Sequence, residues 1–565
     1  MFFISKKLPR QHGLHEPFRH ENHARPVTRR ELLGAGFLSG PAIVMGPAWL
    51  GALLKAQNAG AATPIPGVPQ TITDQMAECK LQMGGGSAAG GTTGPVPFIT
   101  IDLAGGANLM GSEAIAGMAG SPTNFISAAG FSRLGVPGNM VPTSTAFIDM
   151  SMGLPFHSDS AILRGIKLKA STTILGKVNG VVIPAISQND TSSNTLNAMH
   201  LIAKAVSGFP PVNNLPVPYG QYATLVGTNA TASGGNSAAP APVDPTLQPT
   251  RIASSADNTA LVGSSASGAA SATTKAVLET QARISTGANP TGAGGATEGN
   301  VAGATYFNSV AGPSTLVSNV ADGTTATAAD LVLKEQLRCA YVKTGFTAAT
   351  SQGPDSVNPD KDPLIIGAGT SIFTSTDYTD GDVKKTAAIM KLVMNGFAGA
   401  GTIVLGGYDY HSGNRSDGET KNQHAGLIIG AILAYADAVK TPVMINIISD
   451  GSLNSTGNID SSPNGRGKLG WQGDSQQVAA SIILVYSPNG RPAAAINQIG
   501  SLNADGTVNA TSSPGANAPN LVTQLVTLNW MALNGIDSQF ATVFPTQGLG
   551  AATARTALTA FTKIT

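Results

Sequence analysis

The chain has 565 residues, of which 42% are apolar and only 12% charged. That length holds one large domain or two to four ordinary ones, and it is enough to bury a substantial core. Residues 1–61 carry eight Lys/Arg and three acids, which leaves 25 basic and 29 acidic residues beyond them. No basic stripe remains there to follow a phosphate backbone, so nucleic acid is not an expected partner.

The first element is a leader. In "VTRRELLGAGFLSGPAIVMGPAWLGALL", Arg29 and Arg30 precede Leu32, Leu33 and a moderately apolar, Gly-rich stretch, and "AGAA" at 59–62 follows. A basic region, an apolar run and a small-residue exit read as an export signal over residues 1–61. The paired arginines point to the twin-arginine translocase as a transient partner and to a periplasmic or extracellular bacterial protein. The competing reading is a retained anchor, but Gly34, Gly36, Gly40, Pro41, Gly46 and Pro47 interrupt the stretch, which disfavours a stable spanning helix. No later apolar run is long enough to span a bilayer. Cys79 and Cys339 are the only cysteines; exported, they could pair or stay as buried thiols.

Residues 62–95 read as a flexible Gly/Ser-rich linker. A domain follows over 96–565. Its first strand is "PFITIDLAGG", residues 97–106, with shorter strands at 181–185 and 222–227. From about 228 to 326, Ala, Ser, Gly and Thr dominate, which reads as a low-complexity insertion at the surface with one helix at 273–285. Helix and strand patterns then alternate: helices at 328–345, 380–401, 422–440 and 520–535, and strands at 402–411, 441–451 and 479–488. The strands are uniformly apolar, so the expected fold is α/β, a mostly parallel sheet sandwiched by helices.

In such sheets ligands bind just beyond the carboxyl ends of the strands. Asp409 and His411 follow "TIVLGG", Ser449 and Asp450 follow "VMINII", Asp102 lies in the first strand just before Leu103 and the glycines, and Asp474 lies in a Gly-rich loop before "SQQVAASIILVY". Four histidines lie beyond the leader: His157, His200, His411 and His424, the last opening the helix after the Asp409 strand. Carboxylates mixed with imidazoles suit a divalent metal such as Zn, Mn or Fe, and two close metals can clamp an in-line displacement. The plainer alternative is that Asp409 and His411 cap the next helix. His157, Asp159 and Arg164 could read an anionic group or form a structural polar cluster. Ser112 is a candidate nucleophile with no base near it in sequence.

The chain resembles the bacterial twin-arginine-exported family catalogued as domain of unknown function 1501, placed on the alkaline-phosphatase/sulfatase-like fold. "LAGGAN" stands where the family has L-x-G-G-x-D, which puts Asn108 at the acid. "GGYDYH" is similar to its G-G-W-D-T-H, giving Asp409 and His411. "SDGSL" loosely matches S-E-F-G-R at Asp450, and "GDSQQ" matches G-x-D-H at Asp474, with Ser475 replacing the histidine. The resemblance implies an alkaline-phosphatase-like fold with metal ligands at Asp409, His411, Asp450 and Asp474, and the strand-end reading adds Asp102 as a metal candidate. The replacements at Asn108 and Ser475 put a full two-metal centre in doubt. Two functions stay open: a non-catalytic exported protein that binds or assembles with a protein partner, or a metal-dependent hydrolase of phosphate or sulfate esters.

Overall fold

The structure, a computed structural model, describes residues 95–187, 197–209, 225–228, 249–262, 354–367, 369–411, 413–449 and 451–564. The leader, almost all of the linker, the expected helices at 273–285 and 328–345, both cysteines and Asp450 lie outside the described residues.

Seven strands form the main sheet, in the order β4-β11-β8-β1-β7-β5-β6. They are β1 (Phe98–Leu103), β4 (Val178–Pro184), β5 (Leu225–Gly227), β6 (Thr250–Arg251), β7 (Ala400–Leu405), β8 (Val443–Ser449) and β11 (Ala480–Tyr486). β1 lies between β7 and β8 and is parallel to both, with Asp102 level with Val404 and Ile448. β11 runs against both of its neighbours, β8 and β4. The sheet is therefore mixed and mostly parallel, in an α/β arrangement. Two small antiparallel pairs accompany it: β2 (Ile148–Asp149) with β3 (Phe156–His157), and β9 (Leu453–Asp460) with β10 (Lys468–Asp474). Thr250–Arg251, inside the stretch expected to be a surface insertion, extends the sheet beyond β5. Just after it, buried Asn258 donates to the carbonyls of Val357 and Ala388.

β1 is buried along its whole length. Successive side chains point to opposite faces, and the two faces differ. Ile99, Ile101 and Leu103 join one apolar cluster with α1 (Ala161–Lys169), α3 (Gly381–Met394) and α4 (Ser416–Ala438). The alternate residues meet a polar row: Thr100 lies level with Thr402 and Asn446, and Asn197 bridges the two threonines. Asn197 leads into α2 (Met199–Ala205), which packs on β1, β7 and α5 (Pro519–Leu533). α5 starts with Pro519, whose missing N–H costs nothing at a first turn. It is followed by Gly535 at φ +70, the left-handed stop that glycine makes cheaply. No helix among the described residues is long and apolar enough to cross a membrane.

Candidate functional site

The carboxyl ends of β1, β7 and β8 lie side by side, and their loops interlock. Ala104 donates to Leu405 O, Tyr408 N donates to Ala104 O, and Gly106 N donates to Tyr408 O. The fit depends on Gly105: at φ +127, a Cβ there would sit 2.4 Å from the Asp409 amide nitrogen. On the other side, Ser449 Oγ donates to Leu103 O and accepts from Ala107 N.

β7 ends at Leu405, so Asp409 and His411 stand on an extended loop beyond it. The residues still alternate. Tyr408 and Tyr410 turn into the core, while Asp409 and His411 turn outward, 46% and 44% exposed. His411 Nδ1 is hydrogen-bonded to the Asp409 carboxylate and lies 3.5 Å from Asp474 Oδ1. Asp474 is the last residue of β10 rather than part of a loop, and its strand partner is Leu453, just after β8. The three donor groups all lie within 4.8 Å of one another. Two carboxylates and an imidazole are a donor set that could hold a divalent metal.

The capping alternative does not hold. α4 begins at Ser416, and it is Asp460 that accepts from the Arg415 and Ser416 amides. His424 accordingly lies more than two turns inside α4 instead of opening it. There it meets Asp380 and Asp382 at the start of α3, its Nε2 3.7 Å from Asp382 and 3.9 Å from Asp380. These three also lie close enough to share an ion. Asp380 already caps α3 through the amides of Asp382 and Val383.

The Asp382 carboxylate raises the His424 pKa above its usual 6.5, against the opposing effect of burial. A raised histidine contributes its stability below about 6.5 and loses it as pH rises through the folded value. The unfolding-temperature gap between wild type and His424→Gln is therefore expected to be widest in acid and to close on the alkaline side. Its size should be under about 1 kcal/mol, because the ring is part-exposed. A gap that widens with pH would refute the assignment.

The other candidates separate. Asp102 is 2% exposed and sits on the Thr100 face of β1, whereas Tyr410 belongs to the apolar cluster of the opposite face. Its carboxylate is not one of the three donors. Ser112 is fully buried, and its Oγ meets no hydrogen-bonding group among the described residues. It is no solvent-reachable nucleophile. His200 is buried on α2. His157 is held at both nitrogens, by Met140 O at 2.9 Å and Asp159 N at 3.1 Å. Burial lowers its pKa, so it is a neutral structural group. Asp159 receives Arg164, Arg466 and Lys468. Burial would raise its carboxyl, but Arg466, Lys468 and Arg164 hold it down at about 2. This is a structural polar cluster. Asn108 is fully buried; its amide nitrogen accepts no ligand role, donating instead to Leu453 O, and its backbone N donates to Tyr410 Oη. Its Oδ1 meets no donor among the described residues.

The largest feature that sequence reasoning missed lies beneath the loop. Glu419, 2% exposed, accepts from Arg415 Nε at 2.9 Å, Lys468 Nζ at 2.9 Å and Arg164 Nη2 at 2.8 Å. Arg415 also stacks 4.4 Å from the Trp471 ring. Burial would raise Glu419, but Arg415 and Lys468 outweigh it and hold the carboxyl at about 2. Fully buried Glu113 accepts from Ser160 Oγ, Ile162 N and Asn422 Nδ2, and burial pushes its pKa up. Only the Arg415/Glu419 spacing, one helical turn apart, could have signalled this network.

No family model, curated protein or solved structure matches the chain.

Proposed function

We propose that this chain is an exported, divalent-cation-binding protein that acts by binding or assembly rather than by catalysis. The observation that carries the reading is the convergence of Asp409, His411 and Asp474 from two separate chain segments at the carboxyl edge of the sheet. Carboxylate and imidazole ligands suit Zn, Mn or Fe. Three protein ligands leave coordination positions that water or an acidic group on a protein partner would complete. Against catalysis stands the burial of Ser112, the nucleophile the sequence suggested. In this reading the chain is a divergent relative of the domain of unknown function 1501 family on an alkaline-phosphatase-like fold, sent to the periplasm or beyond by its paired arginines.

The alternative is a hydrolase of phosphate or sulfate esters. The exposure of the three ligands favours it, since an open metal position can activate a water.

Elemental analysis of the purified protein, beside Asp409→Ala/His411→Ala, tests both. About one equivalent of metal in the native protein, lost in the variant, is the expected result. Turnover of a phosphate or sulfate ester by the loaded protein, abolished in the variant, would replace the binding reading with the hydrolase. No metal in either protein would sink both.

A further inference from the structure

We infer that Tyr410 is the positioning residue of the Asp409–His411–Asp474 site, an inference that rests on the cation-binding reading above. Tyr410 separates the two ligands in sequence and is itself 3% exposed. Its hydroxyl donates to Asn422 Oδ1 at 3.1 Å and accepts from the Asn108 backbone N at 3.1 Å. The phenol thus ties the loop to α4 on one side and to the segment after β1 on the other. With Tyr410 pinned inward, strand-like alternation turns Asp409 and His411 outward together.

The same ring reaches the strand that carries the third ligand. Tyr410 packs against Trp471 with ring centroids 6.3 Å apart. Trp471 lies on β10, the strand that ends in Asp474, and its carbonyl accepts from Gly413 N at 2.7 Å. The space around the rings is closed by Gly418: a Cβ there would lie 2.9 Å from Tyr410 and 2.8 Å from Trp471 Nε1. One side chain therefore sets the loop ligands and the β10 ligand relative to each other. A second observation lies in the same place. Asn108 bridges Tyr410 and Leu453, the strand partner of Asp474, and keeps a buried carbonyl oxygen for which no donor is described. That spare oxygen belongs to the residue whose backbone the phenol holds.

The test uses Co2+ as the probe, because its visible absorption reports coordination geometry as well as occupancy. Wild type, Tyr410→Phe and Asp409→Ala are titrated in the full chain, with unfolding temperature measured alongside. Tyr410→Phe keeps the ring and removes the hydroxyl. The expected result is at least a tenfold weaker Co2+ affinity and an altered spectrum with secondary structure retained. Wild-type affinity and spectrum in Tyr410→Phe, with Asp409→Ala still abolishing binding, would overturn the inference and leave the cation site standing. No Co2+ binding by wild type would sink the cation site and this inference with it. If Tyr410→Phe fails to fold, Gly418→Ala keeps the hydroxyl but displaces the ring. The same weakening and spectral change are expected there, and unchanged binding would overturn the inference.

Discussion

Glu419→Ala is expected to destabilise the protein by about 3–5 kcal/mol, read as a lower urea midpoint at unchanged slope. The alanine removes the acceptor shared by Arg415, Lys468 and Arg164. Arg415 and Lys468 are each 1% exposed, so water cannot replace it. The cost comes from stranding charges, not from losing attractive ones, because desolvation offsets much of what a buried pair gains. The pH dependence carries a definite sign. A carboxyl held at about 2, against its ordinary 4.5, stabilises fully above about 4.5 and loses that contribution as pH falls toward 2. The gap between wild type and Glu419→Gln should follow the same window. A gap of under 1 kcal/mol at neutral pH would show that the cluster relaxes or hydrates.

Gly426→Leu is expected to cost about 3 kcal/mol or more, at the upper end of overpacking effects. α4 and α1 approach so closely that their backbones touch through glycine. A Cβ on Gly426 would lie 2.1 Å from Ile162 O, one on Gly165 2.0 Å from Gln423 O, and one on Gly430 2.4 Å from Ile166 O. A carbonyl oxygen fixed in a helix cannot swing aside as a side-chain tip can. The helices must part, and Arg164 on α1 would leave Glu419 on α4. Gly381→Ala is the control: it lies at the start of α3 with nothing within 4 Å of the added carbon, and should change stability by no more than about 0.5 kcal/mol. Equal effects at the two positions would refute the close-packing account.

The class of fold was legible because its strands are buried on both faces. "TIVL" and "VMINII" show no polar alternation, and that is what a covered, mostly parallel sheet requires. Strand direction leaves no such trace, so the reversal of β11 could not be read from "ASIILVY". The β9–β10 hairpin was missed because "LNSTGNID" is polar and Gly-containing and looks like a loop. Missing it placed Asp474 in a loop as well. Asp409 and His411 were legible from their position after a buried strand. The buried acids Glu113 and Glu419 were not, because Glu113 meets Asn422 across 309 positions and Glu419 meets Arg164 across 255. Apart from the Arg415/Glu419 spacing, nothing local distinguishes such residues from solvated ones.

The placement of β1 also fixes an order of events during synthesis. Both of its neighbours in the sheet come from far downstream, with Phe98 level with Ala400 on one side and Met444 on the other. Two residues before it the chain is held from further still: the Val96 amide donates to Asn534 Oδ1, 438 positions on. At ordinary ribosomal speeds β1 emerges roughly tens of seconds before β7, the first of the two to be made. Until then its six apolar-lined residues have no strand to pair with, and the nascent chain carries an open sheet centre. Loss of α5, whose C-cap is Asn534, would leave that centre without its anchor, so a late segment of the chain completes what an early one begins.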